Sequence, residues 1–172
     1  MSVPGPIKFD NVEYNLTWSS HPSSNYFKQE YIAKSDSVQK FRKMLMLDFV
    51  EGSFKAKDVI ALKISELDKL KKSNPAISYE VIENKGTGEY MLDFLLSENT
   101  PDGRYLNIVE RNVYRYKKIK DKNGHVGVLL FGVSVRSYGD DIIGFLTALK
   151  INRDDLINAV GQFDIPEITI SK

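Results

Sequence analysis

Residues 89–136 constrain the fold more than any other part of the chain. They contain three strand-like runs, 89–97, 104–120 and 126–136, separated by two turn signals. Segment 121–124 (DKNG) places Asn-Gly between apolar runs, and this pair readily adopts the positive φ angles of a tight hairpin. Segment 98–103 (ENTPDG) has a composition that turns the chain. The three runs are therefore predicted to form an antiparallel meander.

The run 126–136 is predicted to be a central strand. Apolar side chains alternate onto both of its faces, with Val126, Val128 and Leu130 on one and Leu129, Phe131, Val133 and Val135 on the other. A strand with two apolar faces is typical of the interior of a covered sheet. In the run 104–120 the alternation slips at 110–112, which indicates a bulge.

The rest of the chain alternates between strand and helix patterns. A hairpin is predicted from 7–9 and 12–17, followed by a polar loop at 18–25 and a strand at 26–32. Asp36 or Ser37 is expected to cap a helix carrying Val38, Phe41, Met44 and Leu45, and a second helix spans about 56–72. A strand at 77–81 leads into the meander. The pairs Asp140-Asp141 and Asp154-Asp155 are expected to cap two further helices.

This order of elements predicts an α+β fold. We expect a mainly antiparallel sheet with an N-terminal hairpin, two helices, a four-strand meander and C-terminal helices, the sheet being covered on both faces. A parallel sheet would need crossover helices between successive strands, and 77–136 contains none. With 172 residues, 42% of them hydrophobic, the chain is predicted to be a single domain over 1–172.

The order of elements, with the alternation in 105–116 and 126–135, is similar to that of the PsbP-like fold. The resemblance implies a non-enzymatic accessory protein, since that group consists mostly of exported accessory proteins. It also favours a bacterial periplasmic or secreted location over the cytoplasm. A cystatin-like and an NTF2-like arrangement are the alternatives for the same order.

Composition excludes several classes of function. The sequence contains no cysteine, so disulfides, thiolate nucleophiles and cysteine-ligated metal centres are absent. A net charge of +1 gives no overall attraction to nucleic acid or to anionic membranes. No run approaches the roughly 20 apolar residues of a membrane span. Residues 1–6 lack the basic start and apolar region of a signal peptide.

Catalytic and metal motifs are not found. His21 lies among four serines, but the strained G-x-S-x-G nucleophile motif does not occur. His125 follows the Asn-Gly turn and is expected to point into solvent, and no spacing such as H-x-x-x-H proposes a metal site. The protein is therefore predicted to be non-enzymatic, without metal or cofactor. A hydrolase with dispersed site residues is one alternative.

A ligand site is predicted near the N-terminal strands. Trp18, His21, Tyr26 and Tyr31 lie close in sequence and are predicted to line a recess at one end of the sheet. The partner would be an unknown protein or a small ligand. Filling of the hydrophobic core is the competing interpretation of these aromatic residues.

A basic and aromatic strand suggests a second function. Arg111, Arg115, Lys117, Lys118 and Lys120 surround Tyr114 and Tyr116. Single-stranded nucleic acids and other polyanions bind to surfaces that combine cations with stacking rings. Charges on an exposed hairpin also prevent aggregation of sheet edges. Because the net charge is close to zero, protection of the sheet edge against aggregation is the favoured interpretation, and nucleic acid is not the expected partner.

Overall fold

A computed structural model of the protein describes residues 1–3, 5–74 and 76–171. These residues form one eight-stranded sheet and two α-helices. The strands are β1 (Ile7–Phe9), β2 (Val12–Ser23), β3 (Tyr26–Ala33), β4 (Lys43–Glu51), β5 (Ser78–Asn84), β6 (Glu89–Asn99), β7 (Leu106–Lys120) and β8 (Val126–Tyr138). The helices are α1 (Ala56–Lys71) and α2 (Asp141–Gln162). The predicted α+β class is confirmed.

The sheet joins two four-strand meanders through its centre. The strand order is β1-β2-β3-β4-β8-β7-β6-β5, and every neighbouring pair is antiparallel. β8 pairs with β7 on one side and with β4 on the other. The prediction that 126–136 forms a central strand is therefore confirmed.

Each helix covers a different face of the sheet. On the α1 face, Ile60 and Leu67 pack against Phe94, Tyr116 and neighbouring apolar side chains of β6 to β8. On the α2 face, Val160 and the tail residues Ile168 and Ile170 join a larger core that includes Tyr31, Leu47 and Phe131. Neither described helix combines the length and apolarity that a membrane crossing requires.

The helix predicted around 38–45 is wrong, because residues 43–51 form strand β4. Both faces of β4 are buried, with Met44 6% exposed and Leu45, Leu47 and Phe49 fully buried. A short apolar run of this kind fits a buried helix and a buried strand equally well. The segment forms a strand because it pairs with β3 on one side and, on the other, with β8, which lies far away in sequence.

The polar loop predicted at 18–25 is mostly strand. β2 continues to Ser23 and pairs with β3, with register shifts after Leu16 and after Ser20. β1 pairs only with residues 12–14, so the rest of β2 has no strand on its outer side among the described residues. Its polar composition reflects exposure at an edge of the sheet rather than a loop.

The bulge predicted at 110–112 is absent. β7 keeps a regular register there, and the shift in the β6–β7 pairing lies between Glu98 and Asn99. The alternation slips because polar side chains are buried and pair across strands. Asn112 accepts a hydrogen bond from Ser134, and Glu110 pairs with Arg136.

The two predicted C-terminal helices form one helical run with a kink. Asn152 has the non-helical angles φ −119° and ψ 29°, which separate the two segments inside α2. The predicted cap at Asp140 is wrong, because its own backbone is helical and its side chain makes no capping hydrogen bond.

Candidate ligand-binding site

A half-open recess of about 570 Å³ lies on the α1 face, between α1 and strands β3, β4, β8 and β7. Its volume falls within the range of about 300–1,000 Å³ that is usual for small-molecule sites. We call it the α1 recess. It is lined by Ser23, Asn25, Tyr26, Lys28, Met46, Asp48, Val50, Val59, Leu62, Lys63, Glu66, Tyr114, Tyr116, Val128 and Leu130.

The recess exists because α1 packs on β6 and β7 through one of its sides. The side that carries Leu62, Lys63 and Glu66 lines the recess instead. Gly132 of β8 shapes the floor. A Cβ atom at this position would lie 2.9 Å from the Tyr114 ring and 3.1 Å from Met46 Cε, so glycine allows these two side chains to lie over the strand.

A buried carboxylate lies in this mostly apolar recess. Asp48 is 8% exposed, and its Oδ2 accepts a hydrogen bond of 2.6 Å from the Tyr26 hydroxyl. Lys28 Nζ lies 3.8 Å from the same oxygen. The other oxygen, Oδ1, is buried and accepts no hydrogen bond from the described residues. The carboxylate is thus desolvated but only partly compensated.

The protonation equilibria of the recess reflect this desolvation. Burial raises the pKa of Asp48 above its ordinary value, although the Tyr26 hydrogen bond and the Lys28 charge act in the opposite direction. Burial and the adjacent Asp48 charge likewise raise the pKa of Tyr26. Burial also raises the pKa of Tyr116, so both tyrosine hydroxyls are neutral at physiological pH. The recess therefore presents aromatic rings, apolar side chains and one unsatisfied acid.

The residues predicted to bind a ligand do not converge. Tyr26 lines the α1 recess. Trp18, on the outer strand β2, is 42% exposed and lies outside the lining. His21 stacks on the Phe27 ring, with the ring centroids 4.2 Å apart. Tyr31 is fully buried in the core of the α2 face, where its hydroxyl donates to Gln29 Oε1 at 3.1 Å.

Sequence reasoning missed Asp48, Met46 and Tyr114. These residues come from β4 and β7 and meet only because both strands pair with β8. One local signal pointed to the site. Asp48 is the only charged residue in the otherwise apolar segment 44–50 (MLMLDFV), and a lone acid in a buried run requires an explanation.

The two arginines of the predicted polyanion site are engaged inside the protein. Arg111 is 3% exposed and donates to both carboxylate oxygens of Asp93, at 2.9 and 3.2 Å, and to the Arg153 carbonyl at 2.7 Å. Arg115 donates to Glu89 at 2.7 Å and to the Phe163 carbonyl at 2.9 Å. Both side chains therefore fasten α2 to the sheet.

The predicted lysines divide between the two faces of β7. Lys117 lies 3.5 Å from Glu89 on the same face as Arg115. Lys118 and Lys120 are exposed, and Lys118 points to the opposite face because side chains alternate along a strand. The five basic residues do not form one continuous surface.

His125 does not point freely into solvent, contrary to the prediction. Its side chain is 19% exposed, and Nδ1 lies 3.1 Å from Asp121 Oδ2. The same carboxylate accepts a hydrogen bond of 2.8 Å from the Ile170 amide. Although burial opposes ionisation, these hydrogen bonds lower the pKa of Asp121 to about 2. The Asp121–His125 pair therefore ties the C-terminal tail to the β7–β8 turn.

No cluster of acidic or histidine side chains that could hold a metal ion is found among the described residues.

Comparison with known proteins gives one match. A protein-family model matches residues 1–165, which include every residue that lines the α1 recess. No curated protein and no solved structure matches the chain. The match itself indicates no activity, ligand or partner, and the resemblance to the PsbP-like fold stays a prediction.

Proposed function

The chain belongs to the protein family whose model matches residues 1–165, and we propose for it a non-enzymatic binding function, with the ligand held in the α1 recess. One observation carries the proposal. Asp48 is buried among apolar and aromatic side chains with an acceptor oxygen that no described residue satisfies. A buried polar group without a partner costs about 1–3 kcal/mol. A ligand that donates a hydrogen bond recovers this free energy.

The lining residues support binding rather than catalysis. The tyrosines and apolar side chains provide a hydrophobic surface for a ligand, and the single buried acid can fix its orientation, as in many small-molecule sites. The recess is proposed ahead of polyanion binding because Arg111 and Arg115 form internal ion pairs. The exported location implied by the PsbP-like resemblance is a separate proposal, which fractionation of producing cells tests.

Titration with Nile red, a neutral apolar fluorophore, tests the proposed site. We expect saturable binding with one class of site in the wild type. Leu130→Trp adds a bulky ring to the recess lining and should abolish the binding. Ile143→Ala is the matched control, since Ile143 is 78% exposed on α2 and lies outside the lining. Equal binding by a folded Leu130→Trp variant, verified by circular dichroism, would refute the proposed site.

A further inference from the structure

We infer that the α1 recess selects a ligand that carries a protonated primary amine on an apolar body, with the ammonium group paired to Asp48. This inference rests on the proposed binding function and specifies the class of ligand. It follows from the charge, the aromatic lining and the apolar walls of the recess, taken in turn.

Asp48 has more acceptor capacity than its surroundings use. A carboxylate offers about four lone-pair positions, and among the described residues only the Tyr26 hydroxyl donates a hydrogen bond to Asp48. That donor is neutral and leaves the negative charge in place. The Lys28 ammonium, at 3.8 Å, is beyond hydrogen-bonding distance. A ligand ammonium group supplies several donors and a full positive charge at once.

The aromatic residues of the recess favour the same group. Tyr26, Tyr114 and Tyr116 all line it, and the faces of aromatic rings attract cations. Lys28 Nζ already lies 5.9 Å from the centroid of the Tyr26 ring, beside Asp48. Lysine has a flexible stem and this side chain is 27% exposed, so it can turn outward when a ligand ammonium takes its place.

The charges of the recess disfavour an anionic ligand. Of the two lysines in the lining, Lys63 pairs with Glu66 at 3.0 Å and Lys28 has Asp48 as its nearest acid. A ligand carboxylate beside Lys28 would therefore face the Asp48 carboxylate, and like charges repel. A neutral alcohol can donate a hydrogen bond but leaves the charge of Asp48 uncompensated. The expected order of affinity is amine, alcohol, carboxylate.

The walls of the recess require an apolar body. Met46, Val50, Val128 and Leu130 come from the sheet, and Val59 and Leu62 from α1. Leu62 is 74% exposed in the free protein. An aliphatic chain lying against these side chains removes their surface from water, which is favourable at roughly 25 cal/mol per Å².

Three compounds with the same apolar body test the inference: hexylammonium, 1-hexanol and hexanoate. Their dissociation constants for the wild-type protein at neutral pH are measured by isothermal titration calorimetry. We expect hexylammonium to bind at least about tenfold more tightly than hexanol, which corresponds to about 1.4 kcal/mol, and hexanoate to bind most weakly. Asp48→Asn should remove the preference for the amine while hexanol still binds.

Glu13→Gln is the matched control, because it also removes one negative charge but at an exposed position of β2. It should keep the amine preference within about twofold, since charges separated by more than about 10 Å at 0.1 M salt are largely screened. Equal affinities for the three compounds, tightest binding of hexanoate, or an undiminished amine preference in Asp48→Asn would overturn the inference. If Nile red still binds in that case, the proposed binding function stands without the amine preference. If neither Nile red nor any of the three hexyl compounds binds, the proposed function and the amine preference are both rejected.

Discussion

Replacing Tyr26 by phenylalanine isolates the only hydrogen bond that Asp48 receives from the described residues. The change removes one oxygen from a half-buried side chain and leaves the ring in place. It does not remove the carboxylate, which stays buried with Lys28 at 3.8 Å as its nearest cation. The decrease in the free energy of unfolding caused by Tyr26→Phe therefore measures how poorly the rest of the recess compensates the charge of Asp48.

The expected magnitude follows from the type of bond. A hydrogen bond of 2.6 Å to an ionised, buried acceptor belongs to the stronger class, worth about 1.5–3 kcal/mol. Tyr26→Phe should lower the free energy of unfolding by about this amount at neutral pH. For a chain of 172 residues, each kcal/mol corresponds to a decrease in Tm of about 2–4 °C.

The pH dependence has a defined sign. Because burial raises the pKa of Asp48 above the ordinary value of 3.8, the folded protein binds the Asp48 proton more tightly than the unfolded chain does. The ionised group therefore lowers stability progressively as the pH rises above 3.8. Loss of the Tyr26 donor raises the pKa of Asp48 further, so the cost of Tyr26→Phe should be larger at pH 7 than at about pH 3.

A double-mutant cycle provides the assay. Urea unfolding, followed by circular dichroism, gives the free energy of unfolding of the wild type, Tyr26→Phe, Asp48→Leu and the double variant at both pH values. Asp48→Leu should not destabilise the protein at pH 7, because it removes an incompletely paired buried charge. In that background Tyr26→Phe should cost about 0.5 kcal/mol or less. Equal costs in both backgrounds, or a cost independent of pH, would refute this account of the recess.

Five further substitutions test the structural framework. Asp121→Ala leaves the tail and turn amides without their acceptor and should cost about 1–3 kcal/mol at pH 7 in urea unfolding. Because the folded pKa of this group is lowered to about 2, its contribution is present above pH 3.8 and should vanish as the pH falls through 2. Arg111→Ala breaks a buried ion pair and should lower stability by about 3–5 kcal/mol, whereas the exposed Lys118→Ala should change it by less than about 0.5 kcal/mol. An unchanged midpoint of urea unfolding for Arg111→Ala would contradict the structural role of the buried Arg111 ion pair. Gly127→Ala places a Cβ atom 2.3 Å from a backbone oxygen and should lower Tm by several degrees, while Gly144→Ala, in open space on α2, should raise stability by roughly 0.5–1 kcal/mol. Equal melting temperatures for these two variants would count against the packing described for β8.

The local elements of the fold were predictable because their signals are local. The turn residues at 121–124 and the alternating apolar residues of 126–136 favour a hairpin and a central strand whatever the rest of the chain does. Helix α1 was predictable for the same reason, since its apolar positions recur at helical spacing. Strand β4 was not predictable, because a short and mostly apolar segment carries no period that separates strand from helix.

The candidate site depends on contacts between distant segments. Tyr26 and Asp48 are 22 residues apart, and Tyr114 approaches Met46 across 68 residues. Sequence proximity grouped Tyr26 with Tyr31, but side chains alternate along a strand, and an odd spacing places these two on opposite faces of the sheet. The basic residues of β7 could not be interpreted from sequence for the same reason, because the carboxylates that neutralise Arg111 and Arg115 come from β6.

By itself, the amino-acid sequence determined the class of fold, the second meander and the absence of cysteine chemistry, because backbone conformation and composition are properties of short segments. The tertiary structure alone decided that β4 is a strand, that two arginines are internal and that one acid is only partly compensated in a recess lined by three tyrosines. Burial and charge pairing depend on which strands become neighbours, and that choice is made by the whole chain during folding.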